Sequence, residues 1–349
     1  MKTYCKKRFW TTILVVQIIS FYIASKSKFI ISAFQHFFEV QKKVHQLIFS
    51  WIPFSFGDLF YTLLLFTLIA LIIKTFKKNR KAKPLLQILI LINCMYFFYQ
   101  IFWGMLYFQK PIFNELLDEK ITLDTRKKLA LKYLNLCKIS RNQVTQDKNG
   151  VFKLTNIKNI ETEILKQQKY LPDLVPHKKT NHINSIKPSL YGKIMSFTGI
   201  VGYYNPFTAE AQYNANLPAT LIPFTLAHET SHQLGFAREQ EANFIGYLVG
   251  IQSQNTELKY STEYYTLKSL LNSIIDEDET FVKTVLDEYS EGMKKDRQNE
   301  KEFFTKHESY LNQVFSFTNN LFLKTNQQEG SITYSYFIKL LVKYETLEK

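Results

Sequence analysis

The chain has 349 residues, 46% of them hydrophobic, and carries 44 Lys and Arg against 30 Asp and Glu, a formal charge of +14. Residues 1–107 hold 14 of the bases and only two acids, Glu39 and Asp58; beyond them, 30 bases face 28 acids. The excess therefore belongs to an apolar N-terminal region, where basic residues set membrane topology, and nucleic acid is excluded as a partner of the nearly neutral remainder.

The first apolar stretch, residues 9–24 ("FWTTILVVQIISFYIA"), follows Lys6, Lys7 and Arg8 and has the look of a signal peptide. "SKSKF" behind it offers no small-x-small cleavage site and two further runs follow, so an uncleaved helix is the expectation. Those runs, residues 56–73 and 85–107, each approach the ~20 residues that span a bilayer. Ser55 and Asp58 ahead of the second run form a capping box. Four bases at the N-terminus and six in "KTFKKNRKAK" (74–83) place both segments in the cytoplasm. Three spans then put the rest of the chain outside, as a periplasmic (extracytoplasmic) domain of a multi-pass protein of the inner, cytoplasmic membrane. Residues 25–53, with "FIISAFQHFFEV", read as a helix on the outer membrane surface, and His36 and His45 there as interfacial residues. The expected boundary lies between a membrane region, 1–108, and a domain, 109–349.

Within that domain, "LDTRKKLALKYLNLC" and "NIETEILKQQKYL" have helical periodicity, separated by a turn at "DKNG" (147–150). "LYGKIMSFTGIVGYYNPF" (190–207) is rich in β-branched and aromatic residues punctuated by glycine, and reads as one or two short strands. Its edge can accept a substrate peptide, although a buried structural strand is the simpler reading. Residues 240–349 are mostly helical, with a breaker at "NQQEGS" (326–331). The fold expected is thus an α-helical membrane protein: three N-terminal transmembrane helices and a mainly helical α+β extracytoplasmic domain with a small β element. Only Cys137 of the three cysteines lies in this domain, and no Cys pair has ligand spacing.

The chemistry concentrates in "FTLAHETSHQLGFAREQEANF" (224–244). Successive helical residues are ~100° apart, so His228 and His232 share a face and can bind one ion, with Glu229 beside them. This set fits Zn2+, which lowers the pKa of bound water to about 7 while a glutamate takes the proton. Pro223 marks the helix start and Gly235 its end. A solvated helix with two accidental histidines is the bland alternative. Catalytic zinc usually takes a third protein ligand. In the metzincin pattern HExxHxxGxxH that ligand is a histidine at position 238, which here is Arg238. A glutamate must serve, and Glu239 and Glu241 are the candidates. Tyr203 and Tyr204, in "GYYNPFTAE" with Glu210, can donate to an oxyanion, though aromatics in such a segment are more often core. Arg238 can bind a substrate carboxylate or pair with Glu241.

The stretch Glu239-Gln240-Glu241-Ala242-Asn243 resembles the E-x-x-A-D pattern of membrane-bound gluzincin peptidases. The resemblance implies a zincin-like domain in which Glu239 is the metal ligand, Ala242 lets two helices approach, and Asn243 stands where an aspartate supports the site. More broadly, "WIPFSFGDLFY", "FWGMLYFQKPI", "GYYNPFTAEAQYN", "LAHETSHQLGFAREQEANFIGYL" and "FLKTNQQEGSITYSYFIKLL" are similar to domain of unknown function 3810, a family of bacterial membrane proteins with an HExxH motif. The function these features imply is a membrane-anchored zinc metallopeptidase acting on a peptide or protein substrate, with Glu229 as general base. The alternative is a membrane scaffold or sensor in which the metal is structural.

Overall fold

A computed structural model describes residues 2–76, 82–112, 121–173, 175–313 and 333–347. Half of the basic loop at 74–83 (residues 77–81) and the breaker at 326–331 lie outside the described residues. The chain forms two compact units: residues 1–109 with 205–210, and residues 110–204 with 211–349.

Among its described residues the first unit contains four α-helices, Lys2–Ala24 (α1), Lys28–Phe49 (α2), Phe56–Thr75 (α3) and Ala82–Phe102 (α4). Two of them, over Phe56–Thr75 and Lys83–Phe102, are individually long and apolar enough to cross a membrane. The first apolar segment meets that standard only together with α2, across a 103° bend, so the unit has two or three such helices. The bend separates α1 from the amphipathic α2, which the sequence indicated as a distinct helix. The third apolar run is a shorter helix than expected: it stops at Phe102, and residues Gly104–Phe108 tighten into a 3-10 turn. Polar side chains join α1 to α4, with Asn93 donating to the Trp10 and Leu89 carbonyls (3.2 and 2.7 Å) and accepting from Gln17 (3.4 Å). Such bonds hold apolar helices together where the hydrophobic effect gives no preference. Ser55 caps α3 as the capping box predicts, accepting from the Asp58 N–H at 3.1 Å.

Residues 205–210 belong to this unit, and the sequence offered no sign of it. Glu210, fully buried, accepts the Phe56 and Gly57 N–H groups at 3.2 and 2.6 Å. Its carboxylate thereby satisfies orphan donors at the positive end of α3. It is a helix cap rather than a member of the histidine site.

The second unit is mostly helical, with one small sheet. Its elements are Leu123–Arg141 (α5), Ile157–Gln167 (α6), Ile186–Pro188 (β1), Gly192–Thr198 (α7), and Gly202–Asn205 (β2) and Glu210–Tyr213 (β3) apart from their end residues Asn205 and Glu210. Then come Ile222–Leu234 (α8), Glu239–Ile251 (α9), Thr256–Ile274 (α10), Glu279–Asp287 (α11), Glu291–Lys306 (α12) and Thr333–Leu347 (α13). The strand order is β1-β3-β2, with β1 and β3 parallel and Ile186 opposite Ala211. The "DKNG" turn is present: the Asp147 carboxylate accepts from the Asn149 and Val151 N–H groups, both at 2.9 Å, and Gly150 has φ 78°.

The strand reading of 190–207 holds only for its end. "GKIMSFT" is the helix α7, not a strand. Its burial has helical period, with Gly192, Met195 and Ser196 inside and Ile194 and Phe197 outside. Ser196 bonds back to the Gly192 carbonyl (3.0 Å), and Gly199, at φ 74°, caps the turn. Tertiary packing here overrides the strand preference of the residue types. The core is built from α5, α8, α9 and α10, with Tyr133, Tyr247, Tyr260, Tyr264 and Phe244 among its fully buried side chains.

Candidate metal centre

The α8 helix begins with Pro223 in its first turn, where proline costs nothing, and ends at Gly235, whose φ of 99° suits glycine alone. After a three-residue link α9 starts with Glu239, and the two helices pack closely. The approach depends on small residues. Ala242 is fully buried, and a Cβ on Gly246 would stand 3.2 Å from the His228 backbone nitrogen.

This geometry brings Glu239 to both histidines. Its two oxygens lie 3.2 Å from His228 Nε2 and 3.5 Å from His232 Nε2. The histidine rings are 4.8 Å apart and perpendicular, at 89°. The His232 Nδ1–H donates to the Phe236 carbonyl at 2.7 Å, which turns Nε2 toward Glu239. The carbonyl belongs to the turn that joins α8 to α9, so the helix stop also orients a side chain.

Glu229 completes the cluster; His228, Glu229 and His232 offer ligand atoms all within 4.8 Å of one another. Its carboxylate rests on the backbone of β2, where a Cβ on Gly202 would fall 2.7 Å from Glu229 Oε1. Only a glycine admits the carboxylate at this distance. Gly202 was legible in the sequence only as punctuation, because nothing local shows what approaches it. Among the described residues, Glu229 Oε2 and His228 Nδ1 are buried with no hydrogen-bond partner.

Electrostatics follows from this enclosure. Burial pushes Glu229 up to about 7; the two histidines oppose the shift and Glu239 adds to it. Burial acts to lower His232, but Glu239, Glu229 and the Phe236 carbonyl outweigh it and raise it to about 9. Burial likewise acts to raise Glu239, yet the histidines hold it well below the usual carboxylate range. Glu239 still keeps 34% of its side chain accessible, because one side faces a cavity of about 430 Å³.

The other candidates separate. Glu241 points away from the histidines: it pairs with Arg238 at 3.2 Å and accepts the Ile112 N–H at 3.0 Å. The anticipated Arg238–Glu241 pair is therefore formed, and it occupies both residues. Asn243 lines the cavity beside His228 and Glu239. Tyr203 and Tyr204 follow Gly202 on β2, Tyr204 being buried.

A family model described as a protein of unknown function (DUF3810) matches residues 34–342. The chain belongs to the DUF3810 family. No curated protein and no solved structure matches it. Within this family member, the matched segment includes most of α2, all of α3 and α4, the whole histidine–glutamate cluster and most of α13.

Proposed function

We propose that the protein is a membrane-anchored zinc-dependent hydrolase, a metallopeptidase acting on peptide or protein substrates at the extracytoplasmic face. The observation that carries this reading is the convergence of His228, His232 and Glu239 beside a buried carboxylate, Glu229, with an oxygen unused by the protein. The residues fit the ion. Ligands of a tetrahedral zinc with bonds near 2.05 Å stand about 3.3 Å apart, and the two His–Glu separations here are 3.2 and 3.5 Å. Glu239 is assigned as third ligand over Glu229 because its oxygens reach both imidazoles, and over Glu241 because Arg238 holds that carboxylate.

His228, His232 and Glu239 would hold the zinc ion, which when bound would supply a water with a pKa near 7 and a Lewis acid for a carbonyl. Glu229 takes the proton of the attacking water and passes it to the leaving amine, work for which a pKa near neutrality is suited. Gly202 lets β2 lie against Glu229, so a substrate segment running beside β2 passes the base. Tyr203 or Tyr204 supplies the oxyanion donor. The two closely packed helices, with a glutamate entering from the second, support a zincin-like arrangement. The distribution of lysine and arginine supports three spans with a cytoplasmic N-terminus in the inner membrane.

The test is hydrolysis of a peptide mixture by the zinc-loaded full chain and by Glu229→Gln. The variant should keep zinc and lose at least a thousandfold in turnover. Equal, measurable turnover in the two proteins removes Glu229 as the base, and none in either rejects the enzyme and leaves a metal scaffold. A reporter fused after Lys349 should be active only outside the cytoplasm; activity inside overturns the topology.

A further inference from the structure

The cavity of about 430 Å³ beside His228 and Glu239 is not accounted for by the bond-cleaving residues. Its size falls in the range of ~300–1,000 Å³ typical of ligand pockets. Leu221, Phe224, Tyr265 and Phe304 form apolar walls, Phe224 and Tyr265 being stacked with ring centroids 3.7 Å apart. Thr225, Asn243 and Asn272 supply uncharged polar groups.

Apart from the two metal ligands, the lining has one formally charged side chain, Lys268. That charge is already answered. The ammonium bonds both oxygens of Glu300, at 2.8 and 3.0 Å, and lies over the Tyr264 ring at 4.7 Å. Glu300 is buried and also accepts from the Thr220 hydroxyl, which fixes the pair. An acidic guest would have to compete with Glu300 for Lys268, and a basic guest would meet the ammonium. Both pay a desolvation cost without a free partner. An apolar or neutral aromatic group pays none and is enclosed by rings.

We infer that this cavity receives one bulky uncharged side chain of the substrate, aromatic or branched aliphatic, next to the bond to be cleaved. The inference rests on the hydrolase reading for its substrate, and it adds selectivity to that reading. Lys268 and Glu300 act as a neutral gatepost: together they exclude charged side chains.

Binding of small hydroxamates tests the pocket without requiring turnover. Acetohydroxamic acid, 3-phenylpropanohydroxamic acid and succinic monohydroxamic acid share one zinc-binding group and differ in what they would place in the cavity. With the zinc-loaded full chain in detergent micelles, calorimetric titration should show the phenyl compound binding at least tenfold tighter than acetohydroxamic acid. The succinic compound should bind no tighter than acetohydroxamic acid. Asn272→Trp, at an exposed helical position on the cavity rim, should erase the phenyl advantage. Glu300→Gln leaves Lys268 unanswered, and should give the succinic compound a gain of at least tenfold. Equal affinities in the wild type, a phenyl advantage that survives Asn272→Trp, or a succinic advantage already present in the wild type would each overturn the pocket assignment. Peptide cleavage abolished by Glu229→Gln, alongside any of these results, would leave the hydrolase reading standing while the pocket falls. Failure of all three hydroxamates to bind removes the zinc site, and the pocket role with it.

Discussion

Two buried polar clusters in the second unit differ in what they leave undone. At Asp296, both carboxylate oxygens have partners. Its carboxylate takes Arg141 Nε and Nη2 at 2.6 and 3.2 Å, the Phe152 N–H at 2.7 Å and the Tyr260 hydroxyl at 2.7 Å, while Arg141 also reaches the Gly150 carbonyl at 2.8 Å. Around His228 and His232, by contrast, Glu229 Oε2 and His228 Nδ1 are buried without partners among the described residues, and both histidine Nε2 atoms lie within 3.5 Å of the Glu239 carboxylate. Burying polar groups unpaired costs free energy, so a fold that only needed rigidity would follow the Asp296 pattern. Under the proposed function, the difference separates a cluster that holds the fold from one kept for chemistry.

The contrast is sharpest at the ligands. His228→Ala or His232→Ala leaves only two protein ligands, and zinc affinity of the purified chain should fall by a thousandfold or more, read by competition with a chromogenic chelator. Glu239→Ala should cost 10- to 100-fold or more, and Glu241→Ala should leave affinity unchanged, because Glu241 holds Arg238 and Ile112 instead. A larger loss from Glu241→Ala than from Glu239→Ala would transfer the ligand role. The histidine variants should leave the thermal stability of the metal-free protein nearly unchanged, whereas Glu241→Ala, which strands the buried Arg238 and the Ile112 N–H, should lower it.

Asp296 should behave in the opposite way. Asp296→Ala strands the Arg141 charge, which is 3% exposed, together with a backbone N–H and a tyrosine hydroxyl. Breaking a buried pair in this manner costs about 3–5 kcal/mol. Unfolding of the metal-free chain should therefore shift to much lower temperature or denaturant, while the zinc affinity of the fraction still folded stays within about threefold. Full stability in this variant would show that the satisfied network is no more structural than the histidine cluster.

Much of the candidate site was legible in sequence because its determinants are local. The 3.6-residue period places His228 and His232 on one face, and Gly235 can hardly be anything but a helix stop. The choice between Glu239 and Glu241 was not local: it turns on Ile112, more than a hundred residues away, and on how closely α8 and α9 approach. Gly202 and the Lys268–Glu300 pair escaped for the same reason, since each acquires meaning only against a distant partner. The misread strand at 192–198 has another cause. β-branched and aromatic residues fit either a pleated surface or one turned helix face, and capping by Gly199 with packing of Met195 decided for the helix. The insertion of residues 205–210 into the first unit depends on Glu210 finding the start of α3, a pairing no periodicity records.

The smallest expected effect is also the one that most directly separates the two clusters, because its sign is unusual for a buried substitution. In the metal-free protein, burial raises the Glu229 carboxyl from 4.5 to about 7. Its protonated form is thus favoured by folding, a contribution present below the unfolded value near 4.5 and lost as pH rises through about 7. At pH 8 the folded chain holds an ionised, 3% exposed carboxylate whose second oxygen has no partner. Glu229→Gln removes that charge at nearly constant shape. After chelation of metal, the variant should be more stable than wild type at pH 8 by on the order of 1–3 kcal/mol, given ~1.4 kcal/mol per pKa unit. That is several degrees in Tm at ~2–4 °C per kcal/mol for a domain of this size. At pH 5 the gap should shrink toward zero, because the wild-type carboxyl is then mostly protonated in the folded state. A variant less stable than wild type at pH 8 would place Glu229 with Asp296, among residues kept for the fold. A gain confined to high pH instead marks a carboxylate retained against the interest of stability, as an active-site base is.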